Sequence, residues 1–453
     1  PSHQADIEDE CSVCHMPMAR TAAVAEGRRG TIFEHVQRDA TAGEHTRLAA
    51  DGVSCMLCHQ IGPDRLGTPE SFTGGYVIGP PAEGRRHMLG PYRPDDGRAS
   101  IMASSTGVQP AEGTHVREAA LCATCHTLIT QAFGPGGEVI GRLPEQVPYQ
   151  EWRHSAWRGE RTCQGCHMPP VGEPTPITSV FGEPRERMGR HTFLGGNFLM
   201  LRLLNRHRVE LGVQALPQEM EATARATIRQ LQADTAAVRV VQADRGADRV
   251  RVEVEVANLT GHKLPTGYPA RRAWLHLTLT DRNGRTVFES GAVSPQGAIQ
   301  GNDADAEGDR FEPHHEVIRS ADEVQIYESV MGDREGRPTT GLLSATRFLK
   351  DNRLLPRGFD KATAEDDIAV RGEAATDGNF TGAGDRVRYE IPVGDAAGPF
   401  DLTVELLYQP IAYRWVQNLS RYNAPETQRF VSYYAEAAPA SATSLVRARA
   451  RVE

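Results

Sequence analysis

The sequence has no long apolar run, no excess of basic residues and no cysteine outside one repeated motif. Its most apolar stretch, Phe198 to Leu204, is interrupted by Arg202, whereas a helix that spans a membrane needs about 20 apolar residues. Lysine and arginine number 50 against 59 aspartate and glutamate, a formal net charge of −9, so the chain offers no basic stripe to neutralise phosphates. These absences argue against a transmembrane segment and against nucleic acid as a partner.

The chain also lacks the short motifs that mark several common enzyme classes. It contains no phosphate loop, no Gly-x-Ser-x-Gly nucleophile motif and no His-Glu-x-x-His zinc motif. What it does have is a globular composition. Hydrophobic residues make up 39% of the 453 residues, which is enough for two or three domains with cores of their own and excludes a largely disordered chain.

All eight cysteines occur in four copies of the motif Cys-x-x-Cys-His. The motif residues are Cys11, Cys14 and His15; Cys55, Cys58 and His59; Cys122, Cys125 and His126; and Cys163, Cys166 and His167. Random placement of 8 cysteines and 16 histidines would produce only about 0.005 such motifs per chain. Two thiols at this spacing can bond to both vinyl groups of one haem, and the adjoining histidine then binds the iron. The sequence therefore predicts four covalently bound haem c groups, rather than zinc or redox Cys-x-x-Cys pairs.

Covalent haem attachment also indicates a compartment. Such haems are attached on the outer side of the bacterial cytoplasmic membrane, so we expect an exported protein, either periplasmic or extracellular. The chain starts at Pro1 without a charged and then apolar leader, as expected after removal of a signal peptide. Two propionates on each haem would add about eight negative charges. We therefore expect redox partner proteins that present a basic docking face.

The chain changes character twice along its length. Residues 1–195 are rich in glycine, proline, histidine and arginine, which favours a loop-rich helical tetrahaem domain whose core is porphyrin. Residues 196–234 show helical periodicity broken at Pro217, so we expect two bridging helices. In residues 235–453 apolar and polar residues alternate, for example from Val250 to Val256, which predicts an antiparallel β-sandwich. The predicted fold class is therefore α+β multidomain.

Several strands of the C-terminal region are predicted individually. A hairpin turn is expected at Asp281-Arg-Asn-Gly284, between a strand that includes Leu275 to Leu279 and the next strand. The other predicted strands are Thr286–Phe288, Val324–Tyr327, Arg386–Val393, Asp401–Tyr408 and Ser444–Val452.

Histidines outside the motifs are candidates for the second axial ligand of each iron. Each motif has a histidine a short way upstream, and further histidines lie between and after the motifs. The favoured distal ligands are His115, His154, His191, His35 and His3; His45, His87 and His207 are weaker candidates. Methionine is the other common axial ligand, but Met16, Met18 and Met168 lie directly behind attachment sites, on the wrong side of the ring. The alternative for each histidine is a surface or hydrogen-bonded imidazole.

A dense loop between two predicted strands, Thr260 to Gly267, carries other polar candidates. His262 in this loop could ligate an iron or hydrogen-bond a propionate, although a buried turn that the histidine helps to hold is the favoured reading. Arg271 and Arg272 could pair with propionates. The pair His314-His315 could bind a metal, but an exposed strand end is the favoured interpretation.

Residues 1 to about 190 resemble the tetrahaem cytochromes that accept electrons from hydroxylamine oxidoreductase. Four motifs with interleaved upstream histidines carry this resemblance, which implies bis-histidine haems in closely stacked pairs. The phrases around Cys55 and Cys122 also look like a larger set of exported multihaem proteins. In that set the haem domain precedes a β-sandwich with a Thr-Gly-His-x-x-Pro-Thr-Gly stretch, here Thr260 to Gly267. The long C-terminal half is a departure from the first family.

The favoured function is electron transfer through the four haems, by a carrier rather than an enzyme, because closely placed haems form a conductive chain. One alternative is a subunit of an extracellular cytochrome filament formed by self-assembly, in which His3 could ligate a haem of the neighbouring subunit. Another alternative is a multihaem reductase of a small nitrogen or sulfur compound, which requires an iron with an open or exchangeable position.

Overall fold

The structure, a computed structural model, describes residues 4–36, 43–80, 84–178 and 182–453. The predicted ligand His3 lies outside these residues. None of the helices within them combines the length and the apolar character that a membrane span demands. Helices and sheets are both well represented, so the α+β fold class is confirmed.

The chain separates into two compact units. The first contains residues up to 140 together with 161–166, and the second contains residues 141–160 together with 167–453. This division does not coincide with the residue number at which the composition changes, because residues 141–160 and 167–195 belong to the second unit. The predicted domain boundaries at 195 and 234 stay a prediction.

Short helices and little sheet make up the first unit. Its helices are α1 (Gln4–His15), α2 (Pro17–Ala25), α3 (Phe33–Val36), α4 (Glu44–Asp51), α5 (Cys55–Cys58), α6 (Asp96–Thr106) and α7 (Ala119–His126). Its strands are β1 (Arg86–Gly90), β2 (Val108–Glu112) and β3 (Leu128–Phe133), and β4 (Val139–Gln146) begins at its end. Strands β1 and β2 pair in parallel. The sequence predicts helices and loops here, and these short strands are an addition to that prediction.

The second unit contains most of the regular structure. Its helices are α8 (Pro148–Arg153), α10 (Phe198–Arg206), α11 (Pro217–Asp234), α12 (Asp303–Ala306), α13 (Tyr413–Ser420) and α14 (Pro425–Ala437). Helix α9 (Cys163–His167) has its cysteines in the first unit and ends at His167, which belongs to the second unit. Two helices are therefore present in the segment 196–234, as the periodicity predicts. Pro217 opens α11, where a missing amide hydrogen costs nothing.

The strands of the second unit follow the predicted alternation only in part, because one of them, Ile326–Gly332, is buried at every residue. They are β5 (Thr175–Pro176), β6 (Pro184–Arg185), β7 (Ala236–Arg245), β8 (Arg249–Asn258), β9 (Arg272–Thr280), β10 (Thr286–Ser290), β11 (Val317–Ile318), β12 (Ile326–Gly332), β13 (Pro338–Thr339), β14 (Arg347–Asp351), β15 (Asp385–Pro392), β16 (Phe400–Gln409) and β17 (Thr443–Val452). The turn at Asp281–Gly284 joins β9 to β10, and the carboxylate of Asp281 accepts the amides of Asn283 and Arg285.

Two larger sheets form within the second unit. One has the order β13-β12-β9-β16-β17, with β10 also paired to β9 and β14 to β12, and the other has the order β11-β15-β8-β7. Along β8 every second side chain from Val250 to Val256 is buried, and β15 alternates in the same way, so the second sheet buries one face. The prediction of wholly antiparallel sheets is wrong in one place, because β11 pairs with β15 in parallel.

Helices α13 and α14 lie within a region for which the sequence predicts only strands. In α14, Tyr433 and Tyr434 are buried, and Pro425 occupies the first helical position. These two tyrosines pack α14 against the second unit, while much of the helix is exposed. Strands lie on both sides of this segment, so the sequence pattern does not reveal that the apolar residues between them recur every 3.6 residues, as in a helix, rather than every two.

Candidate functional site

Each Cys-x-x-Cys-His motif lies on or at the end of a helix. Helices α1, α7 and α9 contain whole motifs, and His59 follows α5 directly. In a helix the first cysteine, the second cysteine and the histidine occupy positions i, i+3 and i+4, which lie on one face. Both thiols and the imidazole of a motif therefore point to the same side, as attachment of one haem requires.

The thiols of different motifs come together in the first unit. The side chains of Cys14 and Cys125 share a hydrogen bond, which raises the pKa of Cys14 and lowers the pKa of Cys125 to about 7. A second hydrogen bond joins Cys122 and Cys163, raising the pKa of Cys122 and lowering that of Cys163. Burial raises the pKa of Cys58, which also interacts electrostatically with Cys125. The third motif thus lies next to the other three.

Two motif histidines have the hydrogen-bonding pattern of metal ligands. His59 Nδ1 donates to the carbonyl oxygen of Leu89 at 2.6 Å, and His167 Nδ1 donates to the carbonyl oxygen of Leu194. A proton on Nδ1 leaves the lone pair on Nε2, which is how a second partner orients an imidazole towards a metal. His15 and His126, at the ends of α1 and α7, are exposed.

The apolar core of the first unit consists mostly of alanine. Among its described residues the buried apolar ones are Val13, Leu57, Ile61, Ala19, Ala23, Ala49, Ala99, Ala103, Ala119, Ala123 and Ala132. A unit of this length ordinarily depends on large aliphatic and aromatic residues for its stability. Small side chains next to the paired thiols leave space for large rings bound covalently to those thiols. The residues therefore fit haem.

The structure gives most of the predicted distal ligands a protein partner. His115 Nε2 donates to the carbonyl oxygen of Ile61 at 2.8 Å, which leaves Nδ1 as its acceptor nitrogen. His35 lies between Thr46 and Thr31, both at 3.2 Å. The partners of the remaining two are weaker: His154 Nε2 lies 3.4 Å from Glu365, and the exposed His191 contacts the edge of Phe193. Their assignment as ligands stays a prediction.

Two of the three weaker candidates contact other side chains. The ring of His207 stacks on Tyr433 with centroids 3.6 Å apart and planes 11° apart, so it packs as an aromatic side chain. His45 Nε2 lies 2.9 Å from Arg28 and 3.1 Å from Glu26. His87, on β1, is exposed.

His262, which the sequence favours as part of a buried turn, faces a motif histidine. Its ring centroid is 6.2 Å from that of His167, and the two ring planes differ by 18°. Its Nδ1 donates to the carbonyl oxygen of Lys263 at 2.9 Å. Burial and the neighbouring His167 lower the pKa of His262 to about 4, so the imidazole is neutral at neutral pH. The sequence signal for this residue is its position within Thr-Gly-His-x-x-Pro-Thr-Gly.

A buried network of four charged side chains fixes this loop. Lys263 Nζ binds Asp351 at 2.7 Å, Arg353 binds both oxygens of Asp351 at 2.8 and 2.7 Å, and an ion pair of 2.9 Å joins Arg353 to Glu151. Glu151 also accepts the amide of Lys263 and the hydroxyl of Thr266. Burial alone would raise the pKa of Asp351, but Arg353 and Lys263 outweigh it and hold that pKa at about 2. The loop from Thr260 to Gly267 is thereby anchored to α8 and β14.

Arg272, which the sequence offers as a possible partner of a propionate, is instead held by side chains of the second unit. Its guanidinium is 1% exposed, binds both oxygens of Asp305 at 3.0 and 2.9 Å and donates to Gln409 at 2.9 Å. Desolvation of this guanidinium is compensated within the second unit. Arg271 donates to the carbonyl oxygen of Thr266 at 2.9 Å.

The interpretation of His314-His315 as an exposed strand end is also wrong. The side chain of His314 is 1% exposed, and its Nε2 lies 3.1 Å from Asp377 and 4.0 Å from Asp385. His315 instead pairs with Glu312 at 2.7 Å, so the two histidines do not share a site. Since His314 Nδ1 accepts from Gln325, the Nε2 proton is donated to Asp377, and the cluster is a hydrogen-bonded core.

One solved structure has a similar fold, the crystal structure of a penta-heme cytochrome c552 from Thermochromatium tepidum. The sequences are 16% identical, the TM-score is 0.51, and the similarity covers 97% of this chain and 83% of that chain. No family model and no curated protein matches the sequence. The comparison shows that the chain shares its overall fold with that cytochrome.

Proposed function

We propose that the protein is an exported cytochrome that transfers electrons through four covalently bound c-type haems. The convergence of the four motifs carries this proposal. Cys14 meets Cys125 and Cys122 meets Cys163, so haems attached to these thiols would be near neighbours. Near neighbours exchange electrons efficiently, and the polypeptide sets each potential through axial ligands, burial and charge.

A carrier is favoured over a reductase because imidazoles are abundant around the motifs. Candidate ligands include His35, whose side chain is only 6% exposed, and His115, which lies on the short segment that leads into α7. A saturated coordination shell changes little between ferric and ferrous iron, which suits electron transfer, whereas reduction of a small molecule requires an open position.

We expect all four haems to be six-coordinate and low-spin in both oxidation states, because spare imidazoles exceed the four that are needed. Electron paramagnetic resonance of the oxidised protein should show only low-spin ferric signals, and carbon monoxide should leave the Soret band of the reduced native protein unchanged. The same protein unfolded in denaturant should bind carbon monoxide, which verifies the assay. A high-spin signal or a Soret shift in native protein would favour the reductase.

The redox partner should be a protein with a basic docking face, since the chain carries a net charge of −9 before the propionates are counted. Electron exchange with such a partner should slow as ionic strength rises.

The periplasm or the cell exterior is the proposed location. The filament alternative differs in requiring ordered self-association, which light scattering of the haem-loaded protein would detect.

A further inference from the structure

His167 and His262 face each other at a ring separation that a shared iron would also produce. Both belong to the second unit, and their rings are nearly parallel, with planes 18° apart and centroids 6.2 Å apart. An imidazole nitrogen binds a metal at about 2 Å and lies about 1.2 Å from the centre of its ring, so two imidazoles on opposite sides of one iron have ring centres about 6.4 Å apart. The observed separation of 6.2 Å is close to that spacing.

Both rings also present the same nitrogen for binding. The Nδ1 proton of His167 goes to the carbonyl oxygen of Leu194, and that of His262 goes to the carbonyl oxygen of Lys263. Each ring therefore has its lone pair on Nε2, the tautomer that a backbone acceptor imposes on metal-bound histidines. Offset stacking of two rings would explain the distance but not the matched tautomers.

The loop that carries His262 is held rigidly enough to position a ligand. Asn258 and Thr260 donate to the carbonyl oxygen of His262 at 2.7 and 2.9 Å. Gly261 packs against two tryptophans, since a Cβ there would lie 3.3 Å from Trp152 and 3.4 Å from Trp157. On the other side of His262, the amide of Lys263 donates to the buried carboxylate of Glu151. Fixed backbone on both sides gives the ring one orientation.

We propose that His262 is the distal axial ligand of the haem attached at Cys163 and Cys166, opposite His167. This assignment rests on the proposed function, because it requires a haem at the fourth motif. The ligand is then about a hundred residues downstream of the attachment site. It lies in the second unit, in a part of the chain that contains no cysteine. The Thr260 to Gly267 loop is then a haem-ligating element.

Two substitutions of His262 separate a ligand from a packing residue. His262→Phe keeps an aromatic ring but cannot bind iron, so one haem in four should become high-spin in electron paramagnetic resonance. The reduced variant should then show carbon monoxide binding at one quarter of its haem. His262→Met offers a thioether, so the haems should stay low-spin while one midpoint potential rises in a redox titration, as methionine ligation does.

The matched control is His276→Phe, which makes the same change at a partly exposed histidine of β9 that pairs with Glu289. This variant should resemble wild type in spin state, carbon monoxide response and potentials. Full low-spin character in His262→Phe would overturn the assignment and leave the proposed function intact. If His262→Phe is not produced, four unchanged potentials in His262→Met would overturn it equally. Wild-type protein without covalent haem would instead overturn the proposed function.

Discussion

Replacing Cys122 and Cys125 together with alanine should lower the covalent haem content from four to three per chain. The pyridine haemochrome assay and the intact mass measure this loss, and acidified acetone should extract no haem from the wild-type protein. The third motif lies beside the others, because Cys125 meets Cys14 and Cys122 meets Cys163. Loss of a buried phenylalanine or tryptophan costs about 3–5 kcal/mol, so loss of the larger haem from an alanine-rich core should cost at least about 5 kcal/mol.

Thr124→Ser is the control for this experiment, since it changes one of the two residues between the same cysteines. Thr124 is buried and its hydroxyl donates to the carbonyl oxygen of Leu121 at 3.0 Å, a bond that serine can keep. This variant should retain four haems and nearly the wild-type melting temperature. Four haems in the double cysteine variant, or fewer than four in mature wild-type protein, would contradict the attachment scheme.

Arg353→Met should destabilise the second unit by about 3–5 kcal/mol, because it removes the buried cation that pairs with Glu151 and leaves Asp351 with Lys263 alone. Arg353 binds both oxygens of Asp351 and lies 2.9 Å from Glu151, and the side chains of all three residues are almost fully buried. Denaturant titration followed by far-ultraviolet circular dichroism measures the change. A loss below about 1 kcal/mol would mean that water or a structural shift compensates the orphaned carboxylates.

Arg357→Met is the matched control, four residues along the chain. Arg357 pairs with Glu160 at 2.7 Å, but both side chains are more than half exposed, so the loss should be about 0–1 kcal/mol. The acid response should differ as well. With its pKa held at about 2, Asp351 contributes stability that is complete above its ordinary pKa of 3.8 and is lost as the pH falls through 2. Without Arg353 this loss should begin at a higher pH.

Much of the fold could be predicted because its signals are local. The alternation from Val250 to Val256 predicts a half-buried strand, and β8 is that strand. The turn residues Asp281 to Gly284 predict the hairpin between β9 and β10. Helices α13 and α14 escape such reasoning, because their apolar residues serve packing partners that the local pattern does not reveal.

Buried charged side chains are also difficult to predict from the local sequence. Local sequence presents Arg272 as a cation free to meet an anion, but the fold brings Asp305 to it and buries both. The local sequence predicts that His314 is an exposed strand residue. In the structure it is buried beside Asp377 and Asp385, which are more than sixty residues away in the sequence. A partner that is distant in sequence carries no local signature.

The sequence by itself determined the local features of this protein: four motifs whose helical spacing puts two thiols and an imidazole on one face, and strands whose alternation specifies a sheet. These depend on residues a few positions apart, where backbone geometry alone sets the distances. Only the tertiary structure decided which groups meet across the chain. The approach of the third motif to the others, the burial of Glu151 with Arg353, and the facing rings of His167 and His262 all depend on long-range packing.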